Sequence, residues 1–300
     1  MTNILLLLIC LAIGLFLQRN KSLPKDSHVA INTVILHVPL PAIALLNIPR
    51  LEWDLSLFSL VLVPWIIFAM MAVIVPYLGK MFNWDRPTVG CLILTAGLGN
   101  TSFVGFPVLE ALYGKEVIKY GVFLDQPGTF LIVSLFGVFI ATKYSSGSLR
   151  MSELLKKIFF FPPFLSFLLA VVLAIFGWQA YGMTESILGQ MAATLTPLAL
   201  ISVGLQLKMR NIGSNFIPLV SGLGLKLILA PLVIFSLYSF WELPKQIYDV
   251  AVMEAAMAPM ITGAIIASSY SLNARLSGLM VGVGVPVSFL TLTLWYFITQ

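Results

Sequence analysis

At 300 residues the chain is long enough for one or two soluble domains, but its composition excludes them: 59% of residues are hydrophobic, 10% are charged and the mean hydropathy is +1.00, whereas about a quarter of a soluble domain is charged. A net charge of +5 would suit a nucleic-acid binder, yet the basic residues fall in short loops between apolar runs, where membrane topology accounts for them. The sequence therefore reads as an all-α integral membrane protein of about ten helices, with no soluble domain to carry a nucleotide site.

Apolar runs of spanning length are predicted at 3–17, 29–47, 55–79, 88–112, 117–141, 158–177, 185–205, 214–240, 246–270 and 275–299. The first lacks a basic leader and a small-residue cleavage site, so it is expected to be a span rather than a removed signal. The second carries Val38-Pro39-Leu40-Pro41-Ala42 and His37; the histidine could titrate or simply hydrogen-bond within the packing. The fourth contains Gly97-Leu98-Gly99-Asn100-Thr101-Ser102-Phe103-Val104-Gly105-Phe106-Pro107. So many helix-breaking groups inside a span are tolerated only where the backbone is buried in protein or lines a wet cavity. The polar stretch after the fifth run divides the chain into a first half, 1–142, a linker, 143–157, and a second half, 158–300.

The second half echoes the first. Thr196-Pro197-Leu198-Ala199 in the seventh run answers the prolines of the second, and Met257-Ala258-Pro259-Met260-Ile261-Thr262-Gly263 in the ninth answers the break in the fourth. Pro41 and Pro197 stand 156 positions apart, Asn100 and Pro259 159, so one register nearly serves both. Five spans per half make the second half inverted relative to the first, the design of many secondary transporters, in which paired interrupted helices mark the binding site. Pro107 and Pro259 each remove a backbone donor. Half-helix N-termini then offer free N–H groups to an anion, and Asn100, Thr101, Ser102 and Thr262 add amide and hydroxyl groups. The alternative is a pair of kinked helices whose hydroxyls bond back to their own backbone.

Three ionisable residues, Asp125, Lys226 and Glu254, lie inside the fifth, eighth and ninth runs, at a similar depth of about 12 Å from the outer ends of their spans. Either the lysine snorkels, or it pairs with one of the acids and the set couples an ion to transport. Loops 1, 3, 5, 7 and 9 hold twelve basic residues (Arg19, Lys21, Lys25, Lys80, Arg86, Lys143, Arg150, Lys156, Lys157, Lys208, Arg210, Arg275), the opposite loops four (Arg50, Lys115, Lys119, Lys245). The positive-inside rule places the odd loops, Ser146 among them, in the cytoplasm and both termini outside. Trp53, Trp65, Trp84, Trp178, Trp241 and Trp295 are expected at the membrane interfaces. Cys10 and Cys91 are expected to be free buried thiols. The sequence lacks a GxxxxGK[ST] loop, an HExxH or CxxC metal set, and a base suitably spaced from Ser102, so no ATP motor, metal, cofactor or catalytic group is expected.

Gly99-Asn100-Thr101-Ser102-Phe103-Val104-Gly105-Phe106-Pro107 resembles the GN(T)xxxGxP signature of the auxin efflux carrier family, which includes plant PIN proteins and bacterial malate or malonate permeases. Val38-Pro39-Leu40-Pro41-Ala42, Phe161-Pro162-Pro163 and Met257-Ala258-Pro259 with Ala264 to Tyr270 are similar to its second, sixth and ninth spans. The resemblance covers the whole chain and implies ten transmembrane helices as two inverted five-helix repeats with crossed broken helices 4 and 9. It also implies a scaffold of helices 1, 2, 6 and 7 beside a transport domain of helices 3–5 and 8–10. Where many members carry a small or polar pair after the ninth-span proline, Met260 and Ile261 stand here, which makes the pocket more apolar.

The resulting expectation is a secondary carrier for a small organic anion in the plasma (cell inner) membrane. Its substrate site is formed by Gly99, Asn100, Thr101, Ser102, Pro107, Pro259, Met260, Thr262 and Gly263, with Asp125, Lys226 and Glu254 as the coupling or ion-pair set. Expected partners are a small organic anion such as a carboxylate, membrane lipids, a coupling proton or sodium ion and a second copy of the chain in a homodimer, but not nucleic acid. The alternatives are a sodium-coupled organic-anion symporter of bile-acid-transporter-like fold, a channel or an intramembrane enzyme.

Overall fold

The computed structural model describes residues 2–20, 23–24, 26–145, 161–207 and 213–300. Most of the linker, 146–157, lies outside these, as do Ser146 and the basic residues Lys21, Lys25, Arg150, Lys156, Lys157, Lys208 and Arg210. The described residues form sixteen α-helices and no strand: α1 (Thr2–Arg19), α2 (Ser27–His37), α3 (Pro39–Asn47), α4 (Leu57–Met81), α5 (Arg86–Ala96), α6 (Phe106–Tyr113), α7 (Ile118–Leu124), α8 (Val138–Tyr144), α9 (Pro162–Ile175), α10 (Gly182–Ala193), α11 (Leu195–Gln206), α12 (Phe216–Gly224), α13 (Ala230–Tyr238), α14 (Lys245–Ala255), α15 (Ile261–Ser269) and α16 (Ala274–Thr299). Merged across their kinks, six of these stretches are long and apolar enough to cross a membrane: Ser27–Arg50, Leu57–Met81, Lys115–Tyr144, Gly182–Gln206, Phe216–Tyr238 and Ala274–Thr299. Leu5–Arg19 and Pro162–Ile175 are shorter apolar helices. The chain is an all-helical integral membrane protein.

Proline sets several helix starts. It stands in the first turn of α3, α5, α6 and α9, where its missing N–H would have had no intrahelical partner. Pro107 is one of these, so it opens α6 and the break itself falls earlier, between Ala96 and Thr101. Two prolines in Leu57–Met81, Pro64 and Pro76, are carried inside an unbroken helix, which the environment of a membrane bundle permits. Polar caps tie three helix starts together on one side of the molecule. Asp85 accepts the Thr88 N–H at 3.0 Å at the start of α5, and Asn273 accepts the Leu276 N–H at 3.0 Å at the start of α16. Asn273 also donates to Thr88 Oγ1 and to Asn215 Oδ1 beside α12.

The helices pack in two groups. In one, α1 lies along α11, and α3 contacts α9 and α10. At the first of these crossings a β-carbon on Gly14 would stand 2.9 Å from the Gly204 Cα, the close backbone approach that small residues allow within a membrane. In the other group, α5 is surrounded by α4, α8, α12, α15 and α16.

Besides the π-helical turn Thr101–Gly105 that precedes α6, three further turns widen the helices. The helix 117–144 opens into π-helical turns at Asp125–Phe130 and Val133–Gly137, and that between α12 and α13 into another at Leu225–Leu229. Such turns insert a residue into the ladder and recur at functional sites. Here two of them begin at or next to a buried ionisable residue, Asp125 and Lys226. Trp295 is not an interfacial anchor as its sequence position suggests: it is buried and donates its indole N–H to Leu227 O at 3.0 Å. Half-buried Trp65 does the same for Pro127 O at 3.3 Å. Each indole therefore serves a carbonyl inside a π-helical turn. Cys10 and Cys91 are free and buried.

Candidate functional site

The two interrupted segments meet at their breaks. After α5 ends at Ala96 the chain bends at Gly97 and Leu98 before reaching Asn100, and after α14 ends at Ala255 it turns at Ala256 and runs without helix to Met260. Gly99 and Pro259 face each other antiparallel. The Asn100 N–H donates to Ala258 O at 2.8 Å, and the Met260 N–H donates to Leu98 O at 3.1 Å. The backbone groups freed by the breaks are thus satisfied by each other, which is the condition for irregular chain at this depth.

Beyond each break a helix begins with its N-terminus at the crossing: the π-helical turn Thr101–Gly105 leading into α6, and α15 from Ile261. The first N–H groups of a helix have no partner within it and carry a partial positive charge. A cavity of about 480 Å³ lies on this crossing. Gly99, Asn100, Thr101, Ser102 and Phe103 line it from one segment and Met260, Ile261 and Thr262 from the other. Asp125, Gln126, Asn32 and Ser134 add polar groups, while Leu36, Leu40, Phe130, Val133, Phe161 and Ile265 make much of the wall apolar. Its far end is at Ser269 and Tyr270, where α15 stops. Among the described residues no lysine or arginine lines it.

Of the residues the sequence pointed to, Gly99, Asn100, Thr101, Ser102, Met260 and Thr262 line this cavity. Pro107 and Gly263 do not: Pro107 is buried in the first turn of α6, and Gly263 packs its backbone against that of Leu94. Pro259 contributes through the pairing with Gly99. His37 is exposed and bonds back to Thr33 O, one turn earlier on its own helix, at 2.8 Å.

The three ionisable residues sit at the crossing and all are at least 97% buried, so the lysine does not snorkel. Asp125 faces the cavity with both oxygens engaged: the Thr101 hydroxyl donates to Oδ1, and Gln126 Nε2 donates to Oδ2 at 2.6 Å. Lys226 donates to Ala255 O, at the end of α14, at 3.0 Å. Among the described residues no carboxylate oxygen lies within 4.0 Å of its Nζ. Glu254 has neither carboxylate oxygen hydrogen-bonded within the described residues. It shares with Lys226 a second, minute chamber of about 10 Å³ that Gly97, Gly99, Thr101 and Thr129 also line. Gly99 and Thr101 line both spaces, so the strip between them is the partition.

Sequence reasoning missed Gln126, Asn32, Thr129 and the π-helical turns. Gln126 adjoins a suspected residue, but neighbours in a helix normally face different directions, and only the widened turn brings both to one site.

Residues 1–296 match the family described as "Membrane transport protein". The chain is 27% identical over 296 residues to an uncharacterized transporter of Methanothermobacter thermautotrophicus, covering 98% of this chain and 96% of the relative. Its identity to one from Methanocaldococcus jannaschii is 24% over 302 residues, covering 98% and 97%. With the uncharacterized transporter YfdV of Escherichia coli K12 it shares 22% over 326 residues, 99% and 97% being covered. The match runs from end to end of every one of these chains and takes in both interrupted segments, so the protein is a membrane transporter and belongs to the membrane transport protein family, that of the auxin efflux carriers.

Proposed function

We propose that the protein is a secondary carrier for a small organic anion, working by alternating access in the plasma (cell inner) membrane. The observation that carries this reading is the backbone pairing of Gly99 with Pro259 at the floor of a 480 Å³ cavity. It holds two helix N-termini at one place, beside a cavity that no lysine or arginine lines among the described residues. A carboxylate would be received by the N–H groups at Thr101–Phe103 and Ile261–Thr262, with the Asn100 amide and the Ser102 and Thr262 hydroxyls completing the set. Asp125 does not oppose it strongly, because both its oxygens are already engaged by Thr101 and Gln126. The apolar wall of Leu36, Leu40, Phe130 and Met260 accommodates a hydrocarbon body.

In this reading ten crossings form two inverted repeats of five. The packing of α1 with α11 and of α3 with α9 and α10 supports a scaffold of spans 1, 2, 6 and 7. The packing of α5 with α4, α8, α12, α15 and α16 supports a moving unit of spans 3–5 and 8–10. The cavity lies between Asn32, Leu36 and Leu40 of the first group and the crossing in the second, where relative displacement would open one side and close the other. Its end at Ser269 and Tyr270 adjoins the loops rich in basic residues, so the conformation is cytoplasm-open under the positive-inside rule, with both termini external. Counterflow into proteoliposomes loaded with a panel of mono- and dicarboxylates, under imposed proton or sodium gradients, tests the reading. Saturable exchange of an organic anion is expected; flux without saturation or counterflow would identify a channel instead.

A further inference from the structure

The 10 Å³ chamber behind the crossing combines an apolar lining from Val63, Pro64, Ile67 and Leu124 with oxygen-bearing residues and one ammonium. Its polar edge consists of the Glu254 carboxylate and the hydroxyls of Thr101 and Thr129, with the Gly97 and Gly99 backbone beside them. The Ala255 carbonyl, at the end of the interrupted helix, already accepts from Lys226 Nζ at 3.0 Å. Three atoms on this edge, Glu254 Oε1, Glu254 Oε2 and Thr129 Oγ1, are buried acceptors with no hydrogen-bond partner among the described residues. Glu254 is 2% and Thr129 0% exposed. A set of carboxylate, hydroxyl and helix-end carbonyl oxygens is the ligand type of a hard cation, and a volume of this size holds one water or one small ion.

The lysine stands at the margin of that set, bonded to Ala255 O and farther than 4.0 Å from either Glu254 carboxylate oxygen. A β-carbon at Gly99 would stand 3.1 Å from Lys226 Nζ and 3.5 Å from Glu254 O, so the ammonium lies directly against the partition and beside the end of the broken helix. Lys226 brings one positive charge and Glu254 one negative, while Asp125 is held by Thr101 and Gln126 on the other face of the partition. An alkali cation added here would have only a charge already balanced to meet.

We propose that the crossing takes its cation from the chain itself: the Lys226 ammonium borders a chamber of one-ion size beside the unpartnered Glu254 carboxylate, so the wild-type protein has no use for an alkali ion there, and removing the ammonium leaves a sodium site. The inference deepens the carrier reading, since it names the charge that supports the crossing, but its test measures binding and needs no transport. Loss of counterflow would count against the carrier reading, and loss of the cation response against this one.

The experiment compares melting temperatures of the detergent-purified full chain in sodium and in choline chloride at equal ionic strength. Wild type is expected to melt at the same temperature in both. Lys226→Ala is expected to melt lower in choline and to regain on the order of 3–5 °C in sodium or in methylammonium, and Lys226→Ala with Glu254→Gln should lose that recovery. A wild-type protein stabilised by sodium over choline overturns the proposal, as does a Lys226→Ala protein indifferent to every cation or a recovery that survives Glu254→Gln. If Lys226→Ala cannot be purified folded in any salt, Lys226→Met is compared with Lys226→Met plus Glu254→Gln. The paired neutral variant must then be the more stable of the two, because its carboxylate is no longer left unmatched; equal or lower stability overturns the proposal.

Discussion

Glu254 lies against the backbone of Gly105: a β-carbon at position 105 would stand 2.6 Å from Glu254 Oε1 and 2.8 Å from Oε2. The carboxylate from the ninth span therefore reaches the beginning of the second half of the fourth, and the glycine makes room for it. Gly105→Ala must push this carboxylate aside, at an overpacking cost of about 1–3 kcal/mol. A lower melting temperature is expected for Gly105→Ala, and the loss should shrink when Glu254→Ala is added. An unchanged melting temperature for the single variant would place the Glu254 side chain elsewhere.

Asn100 has the opposite profile, poised for a ligand rather than for packing. Its side-chain Nδ2 is buried without a partner among the described residues, the residue lines the cavity, and its backbone N–H holds the crossing. Asn100→Ala keeps the backbone bond and removes only the amide. Transport is expected to fall by about tenfold or more, the equivalent of one hydrogen bond to a charged group, while the melting temperature stays near that of wild type. Normal binding and uptake by purified Asn100→Ala would move the site away from the break.

The two indole contacts give a test of the π-helical turns. Trp295→Phe leaves Leu227 O without its donor in the bundle interior, and a loss of about 1 kcal/mol is expected. Thermal denaturation reads it directly. Trp65→Phe should cost less, since its 3.3 Å bond to Pro127 O is longer and its ring half-buried.

Orientation can be read with a single thiol. A cysteine at Ser146, in the linker, is expected to resist an impermeant maleimide in intact cells and to react after the membrane is opened, with Gln300→Cys reacting from outside. Cys10 and Cys91 are buried and add little background. Labelling of position 146 in intact cells reverses the assigned topology.

Much of this arrangement was legible in the sequence because membrane physics leaves few ways to read it. An apolar run containing Gly97, Gly99, Asn100 and Gly105 has nowhere to satisfy its backbone except inside the protein, and the same holds for Ala258-Pro259-Met260. The residues of these runs consequently fall at one site. Pro107 drew attention for the right segment and the wrong position: a proline marks a break equally well when it starts the next helix, and no spacing rule separates the two cases. Trp295 misled because sequence position gives depth along a span but not which face of the helix it occupies. For Lys226 the sequence left snorkelling and a buried pairing equally open, and its partner was not legible. The ammonium reaches the Ala255 carbonyl instead of an acid, and a freed carbonyl leaves no trace in side-chain chemistry. The widening of the helix at Asp125 and Lys226 was equally invisible, since neither glycine nor proline alone dictates a π-helical turn.

The reciprocal bonds of the crossing also set an order of assembly. Until residues 258–260 enter the membrane, Leu98 O and Asn100 N–H have no backbone partner, although 96–106 have long since left the ribosome. Each bare group in hydrocarbon costs several kcal/mol. The N-terminal half must therefore wait in an incomplete state through the synthesis of some 150 further residues, shielded by water, lipid headgroups or the insertion machinery. A nascent chain arrested before position 258 should remain protease-sensitive around residue 100, and one released after position 270 should not.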